Sequence, residues 1–165
     1  MTTFCILDAN GNVITTFANS QQPTNQAGYT EIPVDGGQVG QVWNGSAFVA
    51  GTPSAQSVFN AALAAGIAVT STGTSALNAT YSVTQEAQDN AAAVAASIGS
   101  GQGLPGGGTT FEYLDSANVP HAFTAAQFLT LADAIRNYVY QLDIQLATAQ
   151  NGGTPSWPTA TINIP

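Results

Sequence analysis

The chain has 165 residues, of which 44% are hydrophobic, so it can bury a core as one domain or as one domain with a small appendage. One Arg, no Lys and nine acidic residues give a net charge of -8, which argues against nucleic acid and anionic membranes as partners because both are bound through several cationic side chains. No stretch approaches the roughly 18 consecutive apolar residues of a membrane-spanning helix.

The first part of the chain, residues 1–52, is predicted to form a β-rich docking region. Apolar runs at Thr3–Leu7 and Asn12–Phe17 flank a DANG sequence that is typical of a hairpin loop. The single cysteine, Cys5, lies in the first of these runs. Its simplest role there is in the core, and one cysteine permits no internal disulfide.

A second hairpin is predicted before residue 52. The stretch YTEIPV reads as a strand, and QVWNGSAFV follows it after a turn. Asn44-Gly45 sits between two apolar pairs in QVWNGSAFV, a pattern that predicts a tight hairpin with a two-residue type I′ turn.

An α+β domain is predicted over residues 53–150. Pro53 opens a helix that runs through VFNAALAA and stops at Gly66, a residue type that suits the position just past a helix end. IAVTS and NATYS read as short strands. Ser82 and Gln85 form a capping-box pattern that begins a second helix, VTQEAQDNAAAVAASI.

After a glycine-rich loop, the sequence predicts a hairpin and a long amphipathic helix. TFEYL and VPHAF read as strands joined by DSAN, and Thr124 with Gln127 forms another capping box. The helix that follows extends to about Thr148. Residues 151–165 read as an extended C-terminal tail. The prediction is therefore an α+β fold, with N-terminal antiparallel β-hairpins followed by a small α+β domain.

The long helix carries an apolar face. Its apolar residues follow one another at steps of 3, 4, 4, 3 and 4, the mean period of a straight helix, whereas a coiled-coil seam has a shorter repeat. This broad face, widened by Ala132 and Tyr138, predicts packing on the helix's own domain, with a seam between subunits as the alternative. The candidate packing or assembly residues are Phe128, Leu131, Ile135, Val139, Leu142 and Leu146.

The only histidine, His121, and the only arginine, Arg136, are interpreted as structural. A catalytic histidine needs an orienting acid and a nucleophile or substrate. Asp115 is near His121 in sequence, but no nucleophile motif accompanies it. Asp133 precedes Arg136 by three residues, which predicts a weak ion pair on the helix surface. We therefore expect no catalytic residue.

Other motifs with chemical potential also favour structural roles. Gly101, Gly103 and Gly106 match G-x-G-x-x-G, but a predicted helix precedes them and a strand follows, the reverse of a dinucleotide-binding loop. One His and one Cys, far apart in sequence, give no cluster that would hold a transition metal. We therefore expect no cofactor and no metal site.

The composition also bears on strand edges. Soluble β-proteins commonly protect exposed edges with lysines and other charged residues. This chain has no lysine, so its edges are expected to be short, covered, or paired with another chain. The composition thus favours an oligomer or a stable complex.

Two stretches of the sequence resemble segments of known proteins. The sequence from ALAAGIAVTS through the Y-S pair to FEYLDSANVPHAFTAAQFLTLADAIRNYVYQL resembles a small domain of unknown function that recurs in bacteriophage tail-fibre and baseplate-region proteins. The resemblance covers roughly residues 55–148 and rests on the order of the helices and strands and on A-I-R-x-Y-V in the long helix. In addition, QVWNGSAFV is similar to short hairpins near the N-termini of phage tail proteins.

The resemblance implies a non-enzymatic structural component of a bacteriophage virion, in the tail, baseplate or fibre-attachment region. Its partners would be further copies of itself and other phage structural proteins. It would be made in the host bacterial cytoplasm and released in the virion by lysis. Two alternatives remain: a host-surface glycan-binding adhesin module that uses Trp43, Tyr29 or Trp157 as stacking faces, or a tail-fibre assembly chaperone.

Overall fold

A computed structural model describes residues 3–8, 11–18, 30–32, 41–44 and 46–165. Helices and antiparallel strand pairs occur together, which confirms the predicted α+β class. The chain divides into two compact units, Met1–Ser54 and Ala55–Pro165.

The described residues of the first unit form five short strands. They are β1 (Thr3–Leu7), β2 (Val13–Ala18), β3 (Thr30–Ile32), β4 (Gln41–Trp43) and β5 (Phe48–Ala50). β1 is the central strand of an antiparallel sheet, between β2 and β3, and β4 pairs with β5. Leu7 and Val13 are buried, with Trp43 and Phe48 packed against them. The side chain of Cys5, predicted to lie in the core, is outside what the structure describes.

The two hairpins of this unit differ in how their turns form. Between β1 and β2, a carboxylate oxygen of Asp8 accepts a hydrogen bond from the backbone N–H of Asn12 at 2.9 Å, and the predicted hairpin is confirmed. Between β4 and β5 the predicted hairpin is confirmed: Trp43 pairs with Phe48, and the N–H of Asn44 donates a hydrogen bond to the carbonyl of Ala47 at 3.1 Å. The predicted type I′ turn includes Gly45, which lies outside the described residues. The side-chain oxygen of Asn44 accepts hydrogen bonds from the N–H groups that follow at positions 46 and 47, which stabilises the loop.

The second unit contains three helices and five strands. They are α1 (Ala55–Ala65), β6 (Ile67–Thr70), β7 (Ala79–Tyr81), α2 (Gln85–Gly99), β8 (Thr110–Leu114), β9 (Pro120–Thr124), α3 (Ala125–Gln150) and β10 (Thr161–Asn163). β6 is the central strand of a three-stranded sheet, antiparallel to β7 and parallel to β10. β8 and β9 form a separate antiparallel hairpin.

Both long helices, α2 and α3, have a threonine as their N-cap residue. The predicted box of Thr124 and Gln127 at the start of α3 is confirmed in both directions. For α2 the prediction that Ser82 is the N-cap is wrong, because Thr84 is the N-cap and its hydroxyl accepts a hydrogen bond from the N–H of Ala87. Val83 is fully buried, so the helix begins only after this residue has entered the core.

The core of the second unit lies between α3, the β6 sheet and the β8–β9 hairpin. Aromatic rings form its centre, where the ring centroids of Phe111 and Phe128 are 4.8 Å apart and those of Tyr81 and Phe123 are 5.6 Å apart. The hydroxyl of Tyr81 donates a hydrogen bond to the carbonyl of Leu77 at 3.0 Å, so this buried polar group has a partner.

The segment predicted as an extended tail is part of the second unit. It contains β10, which pairs with β6, and the N–H of Ile164 donates a hydrogen bond to the carbonyl of Thr70 at 2.8 Å. Ile164 is fully buried, and Trp157 packs against the same core. The tail therefore completes the sheet on one side of β6.

Candidate functional site

The apolar face of α3 lies on the core of the second unit. Phe128, Leu131, Ile135 and Leu142 are buried, as are Ala132 and Tyr138. Val139 is partly buried against the same core, and Leu146 is half-buried. Most of the candidate packing or assembly residues thus contact the helix's own unit.

His121 connects three parts of this unit. On β9, its Nε2 lies 3.0 Å from a carboxylate oxygen of Asp115, which is in the turn that follows β8. Its Nδ1 lies 2.6 Å from the backbone carbonyl of Ala76, in a short 3₁₀ turn before β7. A carbonyl and a carboxylate can only accept hydrogen bonds, so the arrangement favours the imidazolium form, which has a proton on both nitrogens.

His121 and Asp115 shift each other's pKa in opposite directions. The hydrogen bond to Asp115 raises the pKa of His121; the carbonyl of Ala76 adds to the effect, and partial burial opposes it. Hydrogen bonds to its carboxylate, first from the N–H of Val119 and then from His121, lower the pKa of Asp115. Both groups therefore carry their charges over a wide pH range.

We expect the contribution of His121 to stability to depend on pH. Because its pKa is raised on folding, the contribution is complete below the ordinary value of 6.5 and is lost as pH rises through the folded value. The contribution of Asp115 is complete above its ordinary value of 3.8 and is lost at lower pH. Urea unfolding of the protein and of His121→Phe should differ most between about pH 4 and 6.5.

At about pH 9 the same comparison should give a smaller difference, because the imidazolium loses its proton. Burial raises the pKa of Tyr81 and of Tyr113, so neither phenol interferes at that pH. A difference between the two proteins that is the same at every pH would show that the charge of His121 does not contribute.

Arg136 lies on an exposed part of α3. Its guanidinium is 3.1 Å from a carboxylate oxygen of Asp133, and both side chains are about two-thirds or more exposed, at 71% and 67%. The predicted i,i+3 pair is thus present, and pairs of this kind stabilise proteins very little. His121 and Arg136 do not form a common site.

A groove of about 510 Å³ lies between α2 and α3. Small apolar side chains, among them Ala91, Ala95 and Ala132, line it, and Val139 lies among them. Alanine side chains leave the space between two helices shallow and open. We call this feature the α2–α3 groove.

Polar and aromatic side chains also line the α2–α3 groove. α3 contributes Asp133, Arg136, Tyr140 and Asp143, and α2 contributes Asp89. The α3 residues are spaced 3, 4 and 3 apart and therefore share one face of the helix. Tyr140 is 59% exposed, so it presents an aromatic surface to solvent.

A second groove of similar volume lies on the other side of α2, against the β8–β9 hairpin. Its lining includes Phe111 and Leu114, together with the acidic residues Glu86, Glu112 and Asp115. The six acidic residues of Ala55–Pro165 thus divide equally between the two grooves. Since Arg136 lines the first groove and His121 contacts Asp115, the charges of this unit all lie beside α2.

Residues 54–149 match the protein family described as Domain of unknown function (DUF4376). This chain belongs to the DUF4376 family. No curated protein and no solved structure was found to match it. The DUF4376 match includes α1, α2, both hairpin strands β8 and β9, and almost all of α3, so both grooves and His121 lie within it. β10 lies outside the matched residues.

Other candidate sites in this DUF4376 protein have structural surroundings. The glycines Gly101, Gly103 and Gly106 follow α2 and precede β8, as the sequence predicts, rather than opening a helix. Trp43 packs on Phe48 with ring centroids 4.9 Å apart, whereas Tyr29 lies outside the described residues. Within the described ranges, no group of three His, Cys, Asp or Glu side chains is arranged to hold a metal ion, and no helix could cross a membrane.

Sequence reasoning missed the α2–α3 groove of the DUF4376 domain. One signal was present, because α2 carries alanines at positions 91, 92 and 95, and alanines at this spacing leave one helical face without large side chains. The exposed position of Tyr140 next to the apolar face of α3 was not predictable from spacing alone, because tyrosine is common on both buried and exposed faces.

Proposed function

We propose that this chain is a non-enzymatic structural component of a tailed-bacteriophage particle, in the tail, baseplate or fibre-attachment region, and that it acts through protein–protein assembly. The observation that carries the proposal is the absence of charged residues along β10, an edge strand of the three-stranded sheet. The other edge strand, β7, is also uncharged, but the carbonyl of Thr80 accepts a hydrogen bond from the N–H of Ser116 at 2.8 Å, so its outer side is covered within the unit. An edge without charged residues suits a protein that is paired with other chains. The phage context rests on the resemblance of the α+β segment to domains in tail-fibre and baseplate-region proteins.

The surroundings of His121 support a non-enzymatic role. A general base needs a nitrogen that is free to accept a proton from a substrate. Both nitrogens of His121 already face acceptors within the fold, the carbonyl of Ala76 and the carboxylate of Asp115. The side chain therefore holds the β8–β9 hairpin against the 3₁₀ turn and has no nitrogen left for chemistry.

The adhesin alternative receives no support from the two described tryptophans. Trp157 packs against the core of the second unit, and Trp43 packs against Phe48 and the small core of the first unit. A sugar-stacking face needs one side of the ring open to the ligand. No specific observation favours the assembly chaperone either, and the particle experiment below distinguishes it.

Mass spectrometry of purified particles of a phage that encodes this chain tests the proposal. A structural component should be present in a fixed copy number per particle after density-gradient purification. A chaperone should be present in infected cells and absent from the particles. Absence from the particles would contradict the proposal, whereas binding to host glycans by the purified chain would support the adhesin instead.

We also expect self-association to be insensitive to salt. The chain has one Arg and no Lys, so contacts between two copies must be apolar or neutral-polar. Salt at about 0.5 M NaCl screens charges beyond a few ångströms, which weakens ion pairs and relieves repulsion between acidic copies. Sedimentation should therefore show self-association that holds or strengthens with NaCl. Steady dissociation with rising NaCl would contradict this, and a stable monomer at all concentrations without partners would contradict assembly itself.

A further inference from the structure

The charges of the second unit are concentrated on one side. Its six carboxylates line the α2–α3 groove or the groove on the other side of α2, and the one guanidinium lies in the α2–α3 groove. α1, β6, β7 and β10 carry no charged residue. In a chain with so few charges, this distribution gives the face around α2 a negative potential while the rest of the unit stays neutral.

The α2–α3 groove has the shape and chemistry of a docking surface for a helix. Its alanines would allow another helix to approach closely, and the α3 residues from Ala132 to Asp143 extend for about 17 Å, or three helical turns. Asp89 and Asp143 lie on its two sides, on α2 and α3 respectively, and Tyr140 offers an exposed aromatic surface. Grooves of this kind bind the apolar face of an amphipathic helix.

The charge of the residues that line the α2–α3 groove indicates which kind of partner binds there. The three aspartates of the α2–α3 groove outnumber its one arginine, and Asp133 already pairs with that arginine. A second copy of this chain could not neutralise Asp89 and Asp143, because it has no Lys and its only Arg lies in the same groove. The complementary partner is a different protein that carries Lys or Arg beside a small apolar face.

We propose that the α2–α3 groove binds a cationic amphipathic helix of another protein. This inference rests on the proposed role in protein–protein assembly and adds the chemistry of the partner. It does not depend on the phage context. A negative peptide-binding result would therefore contradict this inference and leave the proposed place in the particle standing. Absence of the chain from purified particles would contradict that place and leave the binding of a cationic helix standing.

The test uses the full chain and a fluorescent synthetic peptide of about five helical turns, with an Ala/Leu face flanked by Lys, and a matched peptide with Glu in place of Lys. Fluorescence anisotropy should show binding of the Lys peptide, with affinity at least about tenfold above that of the Glu peptide at low salt. The affinity should fall several-fold when NaCl is raised to about 0.3 M. No binding of the Lys peptide, or equal binding of both peptides, would overturn the proposal.

Two double variants test whether the Lys peptide binds in the α2–α3 groove. Replacing two of the three groove aspartates, Asp89→Asn with Asp143→Asn, should weaken binding about threefold to tenfold, the effect of two exposed ion pairs. The control Glu86→Gln with Glu112→Gln changes the net charge equally but lies in the other groove, and it should stay within about twofold. Equal weakening by both double variants would show a response to net charge alone and would refute the assigned site.

Two variants that add a bulky side chain to α2 test the binding site independently of charge. Ala92 is exposed and lines the α2–α3 groove, so Ala92→Tyr should block the Lys peptide. Ala96 is exposed on the same helix outside the linings of both grooves, so Ala96→Tyr should leave binding unchanged. Circular dichroism checks that each variant is folded. Equal affinities for the two variants, or loss of self-association only in Ala92→Tyr, would exclude a cationic helix as the occupant.

Discussion

Replacing Ile135 with Asp should abolish folding of the second unit. Ile135 is 1% exposed in the middle of α3, among Leu131, Tyr138 and Leu142. The change removes an apolar side chain from the core and places an unpaired carboxylate there, at a total cost above about 5 kcal/mol. This equals or exceeds the whole stability of many small domains. Circular dichroism should show loss of helix, and urea unfolding should show no cooperative transition.

Ile144→Asp is the matched control, because it introduces the same side chain on the same helix at a position that is 43% exposed. Its free energy of unfolding should stay within about 1 kcal/mol of the unchanged protein. Arg136→Ala should be equally mild, since it removes only an exposed ion pair. A folded and cooperative Ile135→Asp protein would show that α3 does not pack on the core as described.

Gly66→Ala should destabilise the protein through its backbone. Gly66 follows α1 at a φ of +74°, and a Cβ atom there would lie 2.5 Å from the carbonyl oxygen of Tyr81. The left-handed conformation alone costs a non-glycine residue about 1–2 kcal/mol. The close approach to β7 adds to this cost, because neither backbone can move without disturbing the pairing of β6 with β7. Urea unfolding should show a loss of well over 2 kcal/mol, a rough sum of both effects.

Gly101→Ala separates the two causes. Gly101 has a φ of +81°, but no atom lies within 4 Å of the position of its added Cβ. Its substitution should therefore cost only about 1–2 kcal/mol, the strain of the conformation itself. Equal losses for Gly66→Ala and Gly101→Ala would mean that the contact with Tyr81 contributes nothing.

Local patterns in the sequence predicted the helices and hairpins well. The period of apolar residues in α3 places Phe128, Leu131 and Ile135 on one side, and the structure buries all three. The capping box of Thr124 depends only on residues three positions apart, so sequence alone is sufficient for it. The same reasoning failed for α2, where two hydroxyls compete for the N-cap position. Burial of Val83, a tertiary effect, decides in favour of Thr84.

Contacts between distant parts of the chain were beyond sequence reasoning. Asp115 is close to His121 in the chain and was considered with it, but the carbonyl of Ala76 lies 45 positions away. A backbone carbonyl has no sequence signature, so the second hydrogen bond of His121 could not be predicted. The grooves beside α2 were missed for the same reason, because each depends on how two separate elements pack.

The parallel pairing of β6 with β10 bears on how the protein is made. Thr70 and Ile162, which a hydrogen bond joins across this pair, are 92 positions apart in the chain. Translation produces β6 and all three helices before β10, so one side of the central strand stays open until synthesis has passed residue 163. Ordering such a long intervening segment is costly before the pairing forms. The second unit therefore completes its fold only after β10 has been synthesised, and chains that stall earlier leave an unpaired strand edge exposed to other nascent chains.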